Sequence, residues 1–298
     1  VVLNPDTTIY QNTLKILINS ANKIDKFGAI GPIDLKFRKN KYKKNVIESD
    51  IIHGPIMFFQ TKTFITLKGF DKNFFLYYEE NDFFKRCNIA NLKLYLVTDP
   101  ELCEEFGLVE TVMHAIKGGV TSVQLRDKNI STKSMIKQGL VLKEKLQEQN
   151  IPLIINDDVE AAISIGADGV HVGQSDMDVK DVRKEVGSSM LVGLSCENIK
   201  QAKLIDRDIL DYVGISPLFS TMTKNDHTSP IGFDGLSQIV SLTKLPCVAI
   251  GGVKVHHCTE IFSRGAVGVA VISGICGQKD PELAAIAYSK QIANYQRI

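Results

Sequence analysis

From residue 92 onward the chain repeats one unit: a short β-branched apolar run, then a stretch with helical spacing. The runs are Leu92–Thr98, Val120–Arg126, Leu153–Asn156, Gly169–Val172, Leu191–Ser195, Tyr212–Ser216, Cys247–Ile250 and Gly268–Ile272. Most do not alternate apolar with polar residues, which is the pattern of parallel strands covered on both faces. In Ser131–Gln149, Met135, Gly139, Leu142 and Leu146 recur at helical spacing behind Ser and Thr residues suited to cap a helix start. Pro152 follows and frees the next strand to begin. Eight such units in about 207 residues predict an α/β fold, a (β/α)₈ barrel. The alternative is a doubly wound open sheet, which normally carries a Gly-rich fingerprint after its first strand. Here Thr98-Asp99-Pro100 follows instead.

The first ninety residues differ. Ten of the fourteen phenylalanines precede residue 92, against four of the twenty-two glycines, so a boundary is expected at about residues 88–92 and the domains at 1–90 and 92–298. The opening Val1-Val2-Leu3 reads as the end of a buried strand whose beginning is missing, and the basic run Lys36–Lys44 as a solvated loop. A net charge of +1 gives no global pull toward nucleic acid or membrane, so anion binding must be local. No apolar stretch approaches the roughly 18–20 residues of a membrane span, and no signal-peptide pattern is present. The six cysteines are too scattered for a disulfide framework or zinc site, as expected of reduced thiols in a cytoplasmic protein. Composition sets no oligomeric state.

Active residues of such a barrel project from the C-terminal ends of the strands. The second run ends in Gln124-Leu125-Arg126-Asp127-Lys128. Arg126 and Lys128 could grip phosphate oxygens there, or form a surface ion-pair cluster with Asp127. The third ends in Asn156-Asp157-Asp158, and Gly173-Gln174-Ser175-Asp176 follows the fourth. Carboxylates on adjacent strand ends can share a hard cation such as Mg²⁺ with substrate phosphates. Asp157 or Asp158, and Ser175 or Asp176, could instead cap the next helices. The fifth run offers Ser195. After the sixth, Thr221, Thr223 and Lys224 supply donors in a long loop that could equally be plain polar surface. Gly251-Gly252 and Ser273-Gly274 let backbone amides approach a ligand closely. Two anion centres at one mouth suggest two phosphorylated substrates. His171, inside Val170-His171-Val172, reads as a packed strand residue rather than a base, and His256 and His257 as helix-start residues.

These segments together resemble thiamine-phosphate synthases. The resemblance is carried by Leu94-Tyr95-Leu96-Val97-Thr98-Asp99, Gln124 to Lys128, Ile155-Asn156-Asp157, Ala167 to Gln174, Thr221-Met222-Thr223-Lys224, Ile250-Gly251-Gly252-Val253 and Val271-Ile272-Ser273. It implies the joining of hydroxymethylpyrimidine diphosphate to hydroxyethylthiazole phosphate with loss of pyrophosphate, through a pyrimidine carbocation trapped by the thiazole nitrogen. By the same resemblance Gln124, Leu125, Arg126, Asp127, Lys128, Asn156, Ser195 and Lys224 hold the pyrimidine diphosphate, with Arg126, Lys128, Ser195 and Lys224 in catalytic positions. Asp157 and Asp176 hold Mg²⁺, and Thr221, Met222, Thr223, Gly252, Ile272 and Ser273 surround the thiazole phosphate. One departure is Glu197, where the family usually has histidine two residues after the serine. Related barrels that act as thiazole tautomerases depend on a histidine there, so its loss weighs against that activity. Glu197 is expected to support the first turn of the next helix.

The first segment resembles the later part of family-2-type glycosyltransferases through Leu3 to Thr7, Gly28 to Pro32, Gly54 to Phe59 and Gly69 to Asp82. The resemblance puts Asp6 in a metal and sugar-nucleotide motif and Glu80 or Asp82 near an acceptor. The nucleotide-binding strands that should come before are absent, so no sugar transfer is expected. So many phenylalanines would leave the fragment poorly covered and prone to association.

Overall fold

A computed structural model of the chain describes residues 2–3, 29–30, 56–59, 79–220 and 229–295, with side chains over 85–220 and 229–295. The chain divides into two compact units, Val1–Cys87 and Asn88–Ile298. In the first, strands β1 (Val2–Leu3), β2 (Ala29–Ile30) and β3 (Ile56–Phe59) form an antiparallel sheet ordered β1-β3-β2. The division falls within helix α1 (Glu79–Ala90), which carries Glu80 and Asp82. The three short strands take in Leu3, Ala29, Ile30 and Ile56–Phe59 of the glycosyltransferase-like motifs, and the remaining motif residues, Asp6 included, lie outside the described residues.

The second unit is a closed barrel of eight parallel strands. They are β4 (Leu94–Val97), β5 (Ser122–Leu125), β6 (Leu153–Asn156), β7 (Gly169–Val172), β8 (Leu191–Cys196), β9 (Tyr212–Ile215), β10 (Cys247–Ile250) and β11 (Gly268–Val271). Each strand pairs with the next, and β11 closes on β4. Among the described residues a helix follows every strand: α2 (Leu108–Lys117), α3 (Thr132–Gln147), α4 (Val159–Ile165), α5 (Val179–Val186), α6 (Ile199–Ala202), α7 (Gly232–Thr243), α8 (Cys258–Ser263) and α9 (Pro281–Tyr295). The (β/α)₈ expectation holds. No helix among the described residues is long and apolar enough to cross a membrane.

Strand alternation sorts the buried side chains into two layers. Leu94, Leu96, Leu125, Ile155, Val170 and Val172 face the helices. Tyr95, Val97, Ile154, Tyr212, Val248, Ala270 and Ile272 fill the barrel interior. Leu125 is thus corrected: with Gln124 pointing inward, its side chain must point outward, into the sheet–helix core and away from any ligand.

Local chemistry explains the helices. Ser131 caps α3 by accepting from the Ser134 amide, and Met135, Gly139, Leu142 and Leu146 form its buried stripe. Gly139 lets α3 and α4 meet closely: a Cβ there would lie 2.3 Å from Cδ1 of Ile165, which would have to turn aside. Lys143 on the same helix reaches Asp168 at 2.8 Å, both side chains less than a tenth exposed. Asp168 also accepts from the Leu153 amide at 2.7 Å. One carboxylate therefore joins α3 to the starts of β6 and β7.

Candidate active site

The barrel opens at the C-terminal ends of its strands into a cavity. Gln124, Arg126, Asn156, His171 and Ser195 supply its polar wall, with Tyr95 and Tyr212 beneath them. Val97, Val248, Ile250, Ala270 and Ile272 make the opposite wall apolar.

Arg126 lies one residue past β5. Its amide donates to Thr98 Oγ1 at 3.0 Å, which clamps the ends of β4 and β5 together. Its guanidinium stands 3.7 Å from Asp99, and Lys128 Nζ stands 3.7 Å from Asp157. The ion-pair cluster with Asp127 is therefore corrected. Asp127 instead accepts from the Asn129 amide at 2.9 Å, closing a local turn. Its carboxylate is committed to the backbone, and among the described residues it pairs with neither cation.

Asn156 ends β6 and donates from Nδ2 to Asp157 Oδ2 at 2.6 Å. Asp157 has φ 62°, a left-handed conformation uncommon for a residue with a Cβ. Such strain persists where the surroundings enforce it, and it concentrates at functional positions. The capping alternative is settled residue by residue. Asp158 caps α4 by accepting from Ala161, and Asp178, rather than Ser175 or Asp176, caps α5. Asp157 is left at the mouth. Asp176 accepts from the Gly173 amide at 2.7 Å, and its carboxyl neighbours that of Asp157. Burial, then the neighbouring Asp176, push the Asp157 pKa up to about 6, against smaller opposing effects of Lys128 and Asn156. Two neighbouring carboxyls favour a bound proton or a cation.

That pair suits magnesium, which binds through one or two carboxylates and completes its shell with phosphate oxygens and water. Among the described residues no three His, Cys, Asp or Glu side chains cluster as a self-sufficient metal cage. The donor set fits a cation that arrives with a phosphorylated substrate.

The adjacent ends of β10 and β11 offer backbone rather than charge. Gly252 has φ 64°, and a Cβ there would lie 2.7 Å from the Ser220 carbonyl oxygen. Ile272 presents its side chain to the cavity, while Ser273 is exposed and its carbonyl accepts from Gln278 Nε2 at 2.9 Å. The loop leaving β9 is anchored at its start by Phe219, whose ring lies 4.1 Å from that of His257. Thr221, Met222, Thr223 and Lys224 fall outside the described residues. Glu197 is braced by Gln201, whose Oε1 accepts from its amide at 2.7 Å, in the first turn of α6.

Sequence reasoning missed the cavity floor. His171 is packed, as expected of a strand residue, but it also lines the cavity and contacts Ser195 Oγ through Nε2 at 3.0 Å. Nδ1 contacts the Tyr212 hydroxyl at 3.0 Å, and Tyr212 in turn meets Tyr95 at 3.2 Å. A usable signal was present in Gly193 and Gly214, glycines inside strands, which often mark close approach by another group.

Comparison with known proteins agrees with this architecture. Residues 94–275 match the family model described as thiamine monophosphate synthase. The thiamine-phosphate synthase of Psychrobacter sp. (strain PRwf-1) is 45% identical over 197 residues, spanning 65% of this chain and 92% of that protein. That of Clostridium novyi (strain NT) is 41% identical over 204 residues, spanning 68% and 98%. The solved thiamine phosphate pyrophosphorylase from Pyrococcus furiosus superposes with a TM-score of 0.64 at 31% identity, covering 70% of this chain and 98% of that one. A matched model over most of the chain and relatives covered almost end to end place this chain, through its barrel, in the thiamine monophosphate synthase family.

Proposed function

We propose that the chain is a magnesium-dependent transferase that joins hydroxymethylpyrimidine diphosphate to hydroxyethylthiazole phosphate and releases pyrophosphate. The observation that carries this reading is the pairing of Lys128 and Asn156 with Asp157, next to Asp176, at the cavity that Arg126, Asn156 and Ser195 line.

The C–O bond to the diphosphate breaks, its electron pair leaves with pyrophosphate, and the thiazole nitrogen forms the new C–N bond. Bound Mg²⁺ would supply charge neutralisation of the departing diphosphate. Asp157 and Asp176 would hold that ion, while Arg126, Lys128 and Lys224 take the remaining phosphate oxygens as negative charge grows. Gln124, Asn156 and Ser195 would orient the pyrimidine. Leu125 and Asp127 contribute backbone at most. Thr221, Met222, Thr223, Gly252, Ile272 and Ser273 would surround the thiazole phosphate. In this scheme the cleavage asks little of a protein base, and positioning two substrates supplies much of the acceleration.

The test is pyrophosphate release by the full chain from the two precursors. The expected result is turnover that chelation abolishes and Mg²⁺ restores. A barrel that binds the thiazole phosphate without releasing pyrophosphate would overturn the proposal. Residues 1–90 are read as a piece of a glycosyltransferase-like domain on sequence motifs alone, without sugar transfer. Binding of a sugar nucleotide in titration would overturn that part.

A further inference from the structure

Two cysteines that the proposed reaction does not use lie close together where the barrel closes on itself. β11 pairs with β4 there, so the loops leaving these two strands are neighbours although far apart in sequence. Cys103 sits one turn past β4, its amide donating to the Asp99 carbonyl at 3.0 Å. Cys276 sits one turn past β11, its amide donating to the Ile272 carbonyl at 2.9 Å. A Cβ on Gly277 would lie 3.1 Å from Cδ2 of Leu102, so the two loops meet at the residues next to these cysteines. Both thiols are free and each residue is 2% exposed in one shared core cluster. Cys276 Sγ lies 3.8 Å from the carbonyl oxygen of Val97, the last residue of β4.

The pair is asymmetric. The neighbouring Cys276 thiol draws the Cys103 pKa down, against burial and with help from the Asp99 backbone and Thr111. Cys103 and burial push the Cys276 pKa up. Cys103 is therefore the thiol that ionises first, and the thiolate is the nucleophilic form. It is also the buried member of a loop in which Pro100, Glu101, Glu104, Glu105 and Gly107 are exposed, and local opening of such a segment admits a small oxidant.

We propose that Cys103 and Cys276 are a redox-sensitive pair whose reversible disulfide ties the β4–α2 loop to the β11–α9 loop and lowers turnover. With a hydroperoxide as oxidant, the Cys103 thiolate attacks one peroxide oxygen and the O–O bond breaks. The leaving oxygen takes up the proton that Cys103 released, and Cys103 becomes a sulfenic acid. The Cys276 sulfur then attacks the Cys103 sulfur, the S–O bond breaks, and the hydroxyl leaves with the Cys276 proton as water. Two thiols are oxidised to one disulfide, the peroxide is reduced, and a dithiol reverses the change. Both loops carry parts of the mouth. Asp99, which pairs with Arg126 at 3.7 Å, also accepts at Oδ1 from the Leu102 amide at 3.2 Å, so a pull on Cys103 reaches that guanidinium. A pull on Cys276 reaches Ile272 on the cavity wall through the carbonyl it holds. The disulfide is independent of the reaction proposed above, and only the loss of turnover rests on that reading.

The test exposes the full chain to hydrogen peroxide, blocks the remaining thiols and digests the protein without reduction. Mass spectrometry should find the peptide of Cys103 joined to that of Cys276, and dithiothreitol should separate them. The oxidised protein should melt about 5–10 °C higher, as expected of a cross-link that closes so long a loop. Its kcat/KM should fall at least about tenfold and return with dithiothreitol. Cys276→Ala should stop Cys103 at the sulfenic acid, open to a dimedone tag, with no rise in melting temperature. Both cysteines remaining as thiols in the oxidised wild type, or either joined to another partner, would overturn the proposal, and neither result needs a substrate. A linked pair with unchanged kcat/KM would overturn it as well and leave the reaction standing. Reduced protein without turnover would instead count against the reaction, with the disulfide still decided by the linked peptide.

Discussion

A Cβ atom on Gly193 would lie 2.2 Å from Cζ of Tyr212 and 2.5 Å from Nδ1 of His171. Tyr212 is fully buried, so its ring has no free space to retreat into. Gly193→Ala should therefore cost about 1–3 kcal/mol of stability, read by urea denaturation, as an overpacked core position. Turnover should fall further than stability explains, because the displaced ring also carries the bond to His171. A variant with wild-type stability and kcat/KM would contradict the geometry.

Asp157 is expected to act in opposite directions on stability and on catalysis. Its folded pKa of about 6 exceeds the ordinary value of 3.8, so the stability it contributes is present below that value and lost as pH rises through about 6. At pH 8 the half-buried carboxylate is a net cost of about 1–2 kcal/mol once screening by water is allowed for. Asparagine removes the charge and suits the left-handed φ of 62°. Asp157→Asn should melt above wild type at pH 8 in the absence of metal, with the gap closing toward pH 4. Its Mg²⁺-dependent turnover should fall on the order of 10²–10³-fold.

The barrel and much of its mouth were legible because two regularities coincide. β-Branched runs such as Leu153–Asn156, Gly169–Val172 and Cys247–Ile250 mark strands to the residue. Asp157 and Lys128 follow from the rule that strand ends carry the chemistry. The run Leu92–Thr98 overshoots β4 because Leu92 and Thr98, which flank Leu94–Val97, are buried as well. Sidedness was not legible. Where both faces of a strand are buried, apolar residues no longer alternate with polar ones. Nothing local then tells that Tyr95 and Tyr212 point inward while Leu125 points outward. The division of labour among Asp157, Asp158, Asp176 and Asp178 was hidden for a similar reason, since capping and cation binding favour the same residue types at the same ends.

Lys143 and Asp168 give a prediction about stability alone. Removing one partner of a buried ion pair strands the other charge, so Lys143→Ala should cost about 3–5 kcal/mol in denaturant unfolding. Asp168→Ala should cost at least as much, because the Leu153 amide loses its acceptor too. Neither residue lines the cavity. At a temperature where the variants remain folded, KM for both substrates should be unchanged, and a selective rise in either would show that the pair does more than join α3 to the sheet.

Gly252 gives a prediction that distinguishes the two proposed substrate sites. Alanine there meets both a left-handed φ of 64° and a Cβ position 2.7 Å from the Ser220 carbonyl oxygen. Backbone strain of about 1–3 kcal/mol is expected at such a position. Steady-state kinetics of Gly252→Ala should show a raised KM for the thiazole phosphate and an unaltered KM for the pyrimidine diphosphate. Equal effects on both would remove Gly252 from the thiazole side.

The most direct measurement is a crystal structure of the full chain grown with magnesium and pyrophosphate. The cation should lie between Asp157 and Asp176, with pyrophosphate oxygens on Arg126 and Lys128 over the cavity that Ser195 lines. Pyrophosphate bound away from both carboxylates, at the other end of the barrel or on its outer surface, would contradict the account.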